Sequence, residues 1–272
     1  MAFLLYARPD GKWYTEDQLR MAGRLGDRFV EPLPEELIPM PPGAGLVMVP
    51  GHYPVGIATN GDFKSMHKDP YTKEAVCALA ALLPQGYTRT LVPAFAASIK
   101  KRELPILGYT AVGMDEKGDL WVAAKKTEED DKWDPVYFDT EDLPKRVKDK
   151  KRQFARNRIV ENLANCALNY HCFTAQNLFY ERWEAGMPVS PICNAACLAC
   201  ISLQPADCCP SPQSRISFVP DLMEVVEPSV FHLEYAPEAI ISFGQGCEGE
   251  PSLQGDLIAD SIAAIRKKTK KG

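Results

Sequence analysis

Cys193, Cys197 and Cys200 lie in one short run, Cys193-Asn-Ala-Ala-Cys197-Leu-Ala-Cys200, spaced C-x3-C-x2-C. The run follows the short extended stretch Met187–Ile192, so it begins where a strand is expected to end. α/β folds place ligands in the loops beyond the carboxyl ends of their strands. Three thiols this close can serve one metal centre, and the spacing predicts that their sulfurs converge on one point. The chain has nine cysteines, an odd number, and six of them fall between Cys193 and Cys247. A secreted disulfide scaffold is usually shorter and evenly paired, whereas clustered cysteines in a reducing compartment are more often metal ligands. Iron–sulfur clusters take cysteine thiolates, usually four. Three ligands leave one iron open, and an open metal position marks chemistry rather than scaffolding.

Residues 187–272 read as alternating strand and helix, the pattern of an α/β domain. Pro188 and Pro191 allow an edge strand at 187–192 but exclude a central one. Leu222, Val225, Val226 and Leu233 mark a helix, with a kink expected at Pro228. Ala239–Phe243 is a continuous apolar run suited to a buried parallel strand. Leu253, Leu257, Ile258, Ile262 and Ile265 mark a last helix. Its early Asp256 and late Arg266-Lys267-Lys268 match the helix dipole.

Residues 1–144 read as an α+β domain. A short helix is expected around Thr15–Leu25 and another at Lys73–Leu83, where Val76, Leu79, Ala80 and Leu83 share a face. Leu46–Val49, Val55–Ala58, Thr90–Ala94, Ile106–Met114 and Leu120–Ala124 read as strands. Asp115-Glu116-Lys117-Gly118 reads as a hairpin turn. Residues 145–186 read as a helical connector, with a long helix from Lys150 to Trp183 ended by Gly186. Its basic start, Lys145 to Arg158, carries no interleaved aromatic platform and reads as a solvated helix face rather than a nucleic-acid contact. His171, Cys172, Cys77 and Cys166 read as core residues. His52, His67 and His232 have no metal-ligand spacing with one another.

The net charge of −5 points to neither nucleic acid nor an acidic membrane surface. No apolar run approaches the roughly 20 residues a bilayer requires. The apolar start Met1–Ala7 is brief and lacks a basic residue before it, unlike a signal peptide. These features predict a cytoplasmic protein.

The cysteine run resembles the signature of the radical S-adenosylmethionine (SAM) enzymes. A second match lies at Gly249-Glu250-Pro251, after the strand-like run 239–243. It is similar to that family's glycine–glutamate motif, which helps hold the amino group of SAM. Glycine lets the backbone approach a ligand, and a carboxylate suits an ammonium group. The resemblance is best over residues 187–268. It implies a 4Fe–4S cluster on Cys193, Cys197 and Cys200, and SAM bound by Gly249, Glu250 and Pro251. In that family an electron from the reduced cluster cleaves a carbon–sulfur bond of SAM and releases a 5′-deoxyadenosyl radical. The implied partners are SAM, a reducing electron donor and a substrate that the sequence does not name. No catalytic side chain is assigned. One departure is Ala199, where the family commonly has an aromatic residue beside the adenine.

The implied fold is α/β: the start of a partial (β/α)6 radical SAM barrel, preceded by the α+β domain and the long helix. Only two strands of such a barrel can be read. The chain is therefore expected to be the front of a longer protein, inactive alone, with one edge of 239–243 unpaired. Cys208 and Cys209 read as free thiols, as ligands of a second cluster, or as completing a zinc site. The competing reading is a zinc-binding interaction module on Cys193, Cys197, Cys200 and Cys208. An electron-carrying iron–sulfur protein is a third, and would want a fourth cysteine ligand. Cys247, inside the glycine-rich turn, reads as a residue small enough to fit there.

Overall fold

The computed structural model describes residues 2–97, 104, 107–127, 131–197, 200–203 and 211–272. The chain divides into two compact units, Met1–Pro135 and Val136–Gly272. The helices within 145–186 thus belong to the second unit rather than forming a separate connector.

The first unit is antiparallel β throughout its named strands, and among its described residues there is no α-helix. Eleven strands form one sheet, and Val92–Pro93, Gly23–Leu25 and Arg28–Val30 form a second of three. The strand Phe3–Ala7 is central. It pairs with Trp13–Met21, Val112–Met114 and Cys77–Leu82. Its sequence Phe-Leu-Leu-Tyr-Ala is apolar on both faces, and Leu4 to Ala7 are all buried. Leu5, Ala7, Leu79, Ala81, Val112, Val122 and Ala124 form one of its hydrophobic clusters.

Two expected helices are strands. Trp13–Met21 folds back on Phe3–Ala7 with Tyr14 opposite Tyr6. The pairing with an apolar neighbour overrides a weak helical pattern rich in charges. Cys77–Leu82 lies between Gly45–Val49 and Phe3–Ala7, buried on both faces from Ala78 to Ala81. A short run of alanine and leucine fits a buried strand as well as a helix, and its pairing on two sides decides. Residues 46–49 and 55–58 fall in Gly45–Val49 and, for the most part, in His52–Ile57. The turn at Asp115–Gly118 joins Val112–Met114 to Leu120–Lys126, with Gly118 at φ +91°.

The second unit contains helices α1 (Leu143–Gln153), α2 (Arg158–Asn169), α3 (Phe173–Tyr180), α4 (Leu222–Tyr235) and α5 (Gly255–Lys268). The expected long helix is three. Arg156 takes φ +68°, and the Asn157 side chain caps α2 by accepting from the Val160 N–H at 3.0 Å. His171 takes φ +51° ahead of α3, and Glu181 at φ +56°, not Gly186, ends that helix. The expected helix around Leu222–Leu233 is α4, with Pro228 inside it. The strands Glu184–Gly186 and Ile240–Ser242 pair in parallel, Glu184 opposite Ile240. Among the described residues Ile240–Ser242 pairs with no other strand. The helices and the parallel pair share a core of Leu163, Ala167, Leu178, Phe179, Ala185, Met187, Val189, Val225 and Cys247.

The expected fold class is therefore overturned. The fold is dominated by an eleven-stranded antiparallel sheet, and among the described residues the one parallel sheet has two strands. That is not a partial (β/α)6 barrel preceded by a helix. Strand–helix alternation within 187–272 does not extend to the first unit, whose sheet joins segments far apart in sequence. Among the described residues no helix is long and apolar enough to cross a membrane.

Candidate functional site

The two parallel strands send their continuing chains out side by side. After Gly186 comes Met187–Ile192, and after Ser242 comes the glycine-rich segment 243–250. The pairing continues beyond the strands. Met187 N–H donates to Ser242 O at 2.9 Å, Gly249 N–H to Ser190 O at 2.6 Å, and Glu250 N–H to Ile192 O at 2.9 Å. Cys193 follows Ile192 directly. A Cβ on Gly249 would lie 2.0 Å from Ile192 O, and one on Gly186 would lie 2.1 Å from the Gln245 side chain. Glycine at both positions is what lets the segments touch.

Glu248 binds the two segments together from inside. It is buried, and its Oε2 accepts from Val189 N–H at 2.7 Å and Ser190 N–H at 3.0 Å. Its Oε1 accepts from Gly244 N–H at 2.8 Å and Gln245 N–H at 2.9 Å. Four backbone donors around one carboxylate make an anion nest that offsets its burial. Glu250, two residues on, faces outward. Its carboxylate caps the short turn Pro251–Gln254, and the Ser252 hydroxyl and N–H hold its pKa below the ordinary carboxylate value.

Cys193 and Cys200 are half-buried and Cys197 is exposed; all three are free thiols. Cys193 Sγ accepts from Ala195 N–H at 3.4 Å. Cys200 N–H donates to Cys197 O at 3.2 Å. Arg215 Nη2 donates to Cys200 Sγ at 3.4 Å, and its Nε donates to Ser202 Oγ at 3.1 Å. Burial opposes the Cys200 thiolate, but hydrogen bonds from the Ser202 backbone and hydroxyl, Leu203 N–H and Arg215 outweigh it and lower its pKa.

The three cysteines thus share one loop, and the Gly249–Glu250 turn is bonded to its start. Their sulfurs are not gathered. Among the described residues no three His, Cys, Asp or Glu side chains form a group able to hold a metal ion. The convergence expected from the spacing is absent. The donor set nevertheless suits an iron–sulfur cluster: three reduced cysteines, two of whose sulfurs already accept N–H hydrogen bonds. Binding a cluster requires the loop to draw them together. Ala199, Cys208 and Cys209 lie outside the described residues.

Other expectations fare unevenly. Cys247 is buried in the turn, and Asn162 Nδ2 lies 3.6 Å from its sulfur and 3.8 Å from that of Cys166. The hydrogen bond to Cys247, together with burial, pushes the Cys166 thiol up. Cys166 is a core residue of α2, Cys172 packs against the same core, and Cys77 is half-buried on a strand. His171 is an exposed partner of Asp139, 2.8 Å away, rather than a core residue. Buried His232 hydrogen-bonds Trp183 O through Nε2 at 2.7 Å. Two residues were not singled out by the sequence. Glu248 has a signal, an acid between glycines, but Gly-Cys-Glu-Gly-Glu does not say which acid turns inward. Arg215 has none.

No protein-family model matches the chain, and neither a curated protein nor a solved structure matches it.

Proposed function

We propose that the second unit binds a 4Fe–4S cluster through Cys193, Cys197 and Cys200, and SAM beside it through Gly249, Glu250 and Pro251, as radical SAM enzymes do. One observation carries this reading. Gly249 and Glu250 donate their N–H groups to Ser190 and Ile192, which sets the glycine–glutamate turn against the residue before Cys193. The two matched motifs lie 49 residues apart in sequence, from Cys200 to Gly249. Independent coincidences have no reason to share one end of one parallel pair. The proposal concerns the ligands of this site and needs no barrel around it.

When bound, such a cluster supplies a low-potential electron to SAM. The chain's own residues do the rest. The cysteines hold the irons as thiolates, and the outward Glu250 carboxylate is placed to take an ammonium group. Glu248 keeps both segments in register from below. The substrate, the electron donor and a cytoplasmic setting remain part of the proposal.

Anaerobic reconstitution with iron and sulfide tests it. The expected product is brown, with about four irons per chain. Replacing the three cysteines with alanine should abolish retention, and Glu250→Ala should weaken SAM binding while leaving iron unchanged. A colourless protein that takes up zinc instead identifies the zinc module. Full iron retention by the triple variant ends the claim.

A further inference from the structure

Arg215 lies on a segment tied to both halves of the site. Gln213 N–H donates to Ile201 O at 3.1 Å, just past Cys200, and Ile216 N–H donates to Cys247 O at 2.8 Å, inside the glycine-rich turn. Ile216 is buried, so the backbone on the turn side of Arg215 is anchored. Between the two ties the guanidinium reaches back to Cys200 Sγ at 3.4 Å and to the buried Ser202 hydroxyl at 3.1 Å. Among the described residues these are its hydrogen-bond partners, and no carboxylate pairs with it.

A guanidinium is always charged and presents its donors in a rigid fork. Here one tooth of the fork is fixed by Ser202 and the other is left for sulfur. Hydrogen bonds to ligand sulfurs are a main control of iron–sulfur potentials, because they stabilise the negative charge added on reduction. They also hold the ligand in one orientation.

We infer that Arg215 is a positioning residue of the cysteine site, holding the Cys200 sulfur as the third cluster ligand and easing reduction of the cluster. The inference rests on the reading of Cys193, Cys197 and Cys200 as iron–sulfur ligands. Ser202 acts both through Arg215, by setting the plane of its guanidinium, and directly, its hydroxyl lying 3.8 Å from Cys200 Sγ.

The test uses the full chain, reconstituted anaerobically, and reads iron content and the one-electron midpoint potential. Removing the donor in Arg215→Ala is expected to lower the equilibrium constant for reduction about tenfold, a fall of about 59 mV. Arg215→Lys, which keeps the charge without the fork, should retain more iron and fall between. Ser202→Ala should shift the potential the same way by less. A residue with a merely structural role would change iron content and leave the potential of the retained cluster where it was. That result in Arg215→Ala overturns the inference. Should Arg215→Ala hold no cluster, Arg215→Lys decides by the same criterion: a lowered potential supports the inference, an unchanged one ends it. A wild-type chain that takes up no cluster defeats the functional reading itself, and is told apart by failing before any variant is made.

Discussion

Asp69 in the first unit and Glu248 in the second are both buried carboxylates on loops, and they are satisfied by different means. Asp69 accepts from the Tyr6 hydroxyl at 2.6 Å, from Arg8 Nε at 2.8 Å, and from the N–H groups of Tyr71 and Thr72 at 2.8 Å each. Arg8 lies over the Tyr14 ring, 3.8 Å from its centroid. One loop is thereby clipped to the central strand of a sheet, and a cation meets the charge. Burial disfavours the Asp69 charge, but the combined hydrogen bonds hold its carboxyl far below the usual carboxylate range. Glu248 has four backbone donors from two loops, and those loops carry both motifs of the proposed site. The same device secures packing in one unit and alignment in the other. What it does depends on what its loops carry, which burial alone does not reveal.

The largest effect is expected at Asp69, because its removal leaves a cation behind. Asp69→Ala strands Arg8 and the Tyr6 hydroxyl and should cost about 3–5 kcal/mol. Chemical denaturation followed in the first unit checks this, and a loss under about 1 kcal/mol would show that the network adds little. Glu248→Gln keeps the shape and replaces one acceptor oxygen by an NH2 facing two N–H groups. It should cost about 2–3 kcal/mol. Hydrogen exchange should also quicken at Val189, Ser190, Gly244 and Gln245. If stability falls while those four amides keep their protection, Glu248 does not align the loops, and the contrast with Asp69 is lost.

Sequence alone exposed the second unit better than the first, for physical reasons. Helices α4 and α5 and the strand Ile240–Ser242 carry their own signals: a 3.6-residue period, a dipole-matched charge order and an apolar run, although that strand, expected buried, is half-buried with Ile240 exposed. Trp13–Met21 and Cys77–Leu82 are strands because of partners elsewhere in the chain, and a local pattern cannot report a distant partner. The breaks at Arg156 and His171 sit in left-handed conformations with no glycine to announce them. The barrel expectation came with the family resemblance, and one strand–helix–strand passage was all of it that could be read. Within the site, motifs announced the cysteines and Gly249–Glu250. Glu248 was ambiguous, one of two acids among glycines, because its partners are backbone N–H groups, which every residue but proline possesses. Arg215 was silent because it acts through a fold that brings 213–216 against both loops.

Gly249→Ala tests the junction without touching a charge. The added Cβ would meet Ile192 O at 2.0 Å and Ile192 C at 2.5 Å, both backbone atoms that cannot rotate aside. The turn must back away, at about 1–3 kcal/mol. If the turn and the cysteine loop form one site, SAM affinity should fall about tenfold or more, equivalent to about 1.4 kcal/mol, while iron content changes less. Isothermal titration of reconstituted protein measures the first and metal analysis the second. Unchanged SAM affinity would separate the turn from the site and leave Glu248 with a packing role like that of Asp69.

The smallest effect should arise at Glu224, a carboxylate that joins helices rather than loops. Arg158 binds it through Nε at 2.9 Å and through Nη2 at 2.5 Å, and the N–H groups of Arg158 and Asp221 donate to it at 2.9 and 2.8 Å. The Arg158 side chain is the main cause of a pKa lowered to about 2, burial opposing it and the backbone donors adding to it. An unfolded glutamate titrates near about 4.3. The folded state therefore binds the proton less readily, and the interaction stabilises fully above that value. Its contribution declines as the pH falls from there through about 2. Arg158 is 44% exposed, so solvent screening discounts the contribution to about 1 kcal/mol. Glu224→Gln should accordingly lower stability by about 1 kcal/mol near pH 6 and by progressively less toward about pH 2.5. Denaturation of both proteins across that range measures the gap. A gap that stays constant with pH would mean the carboxylate's charge is not what joins the start of α2 to α4. Amide exchange at Val189 and Ser190 should not respond to this substitution, since Glu224 touches neither loop. A response there would show that the Glu248 clasp depends on how the helices pack, and the contrast between packing carboxylate and aligning carboxylate would narrow to one of degree.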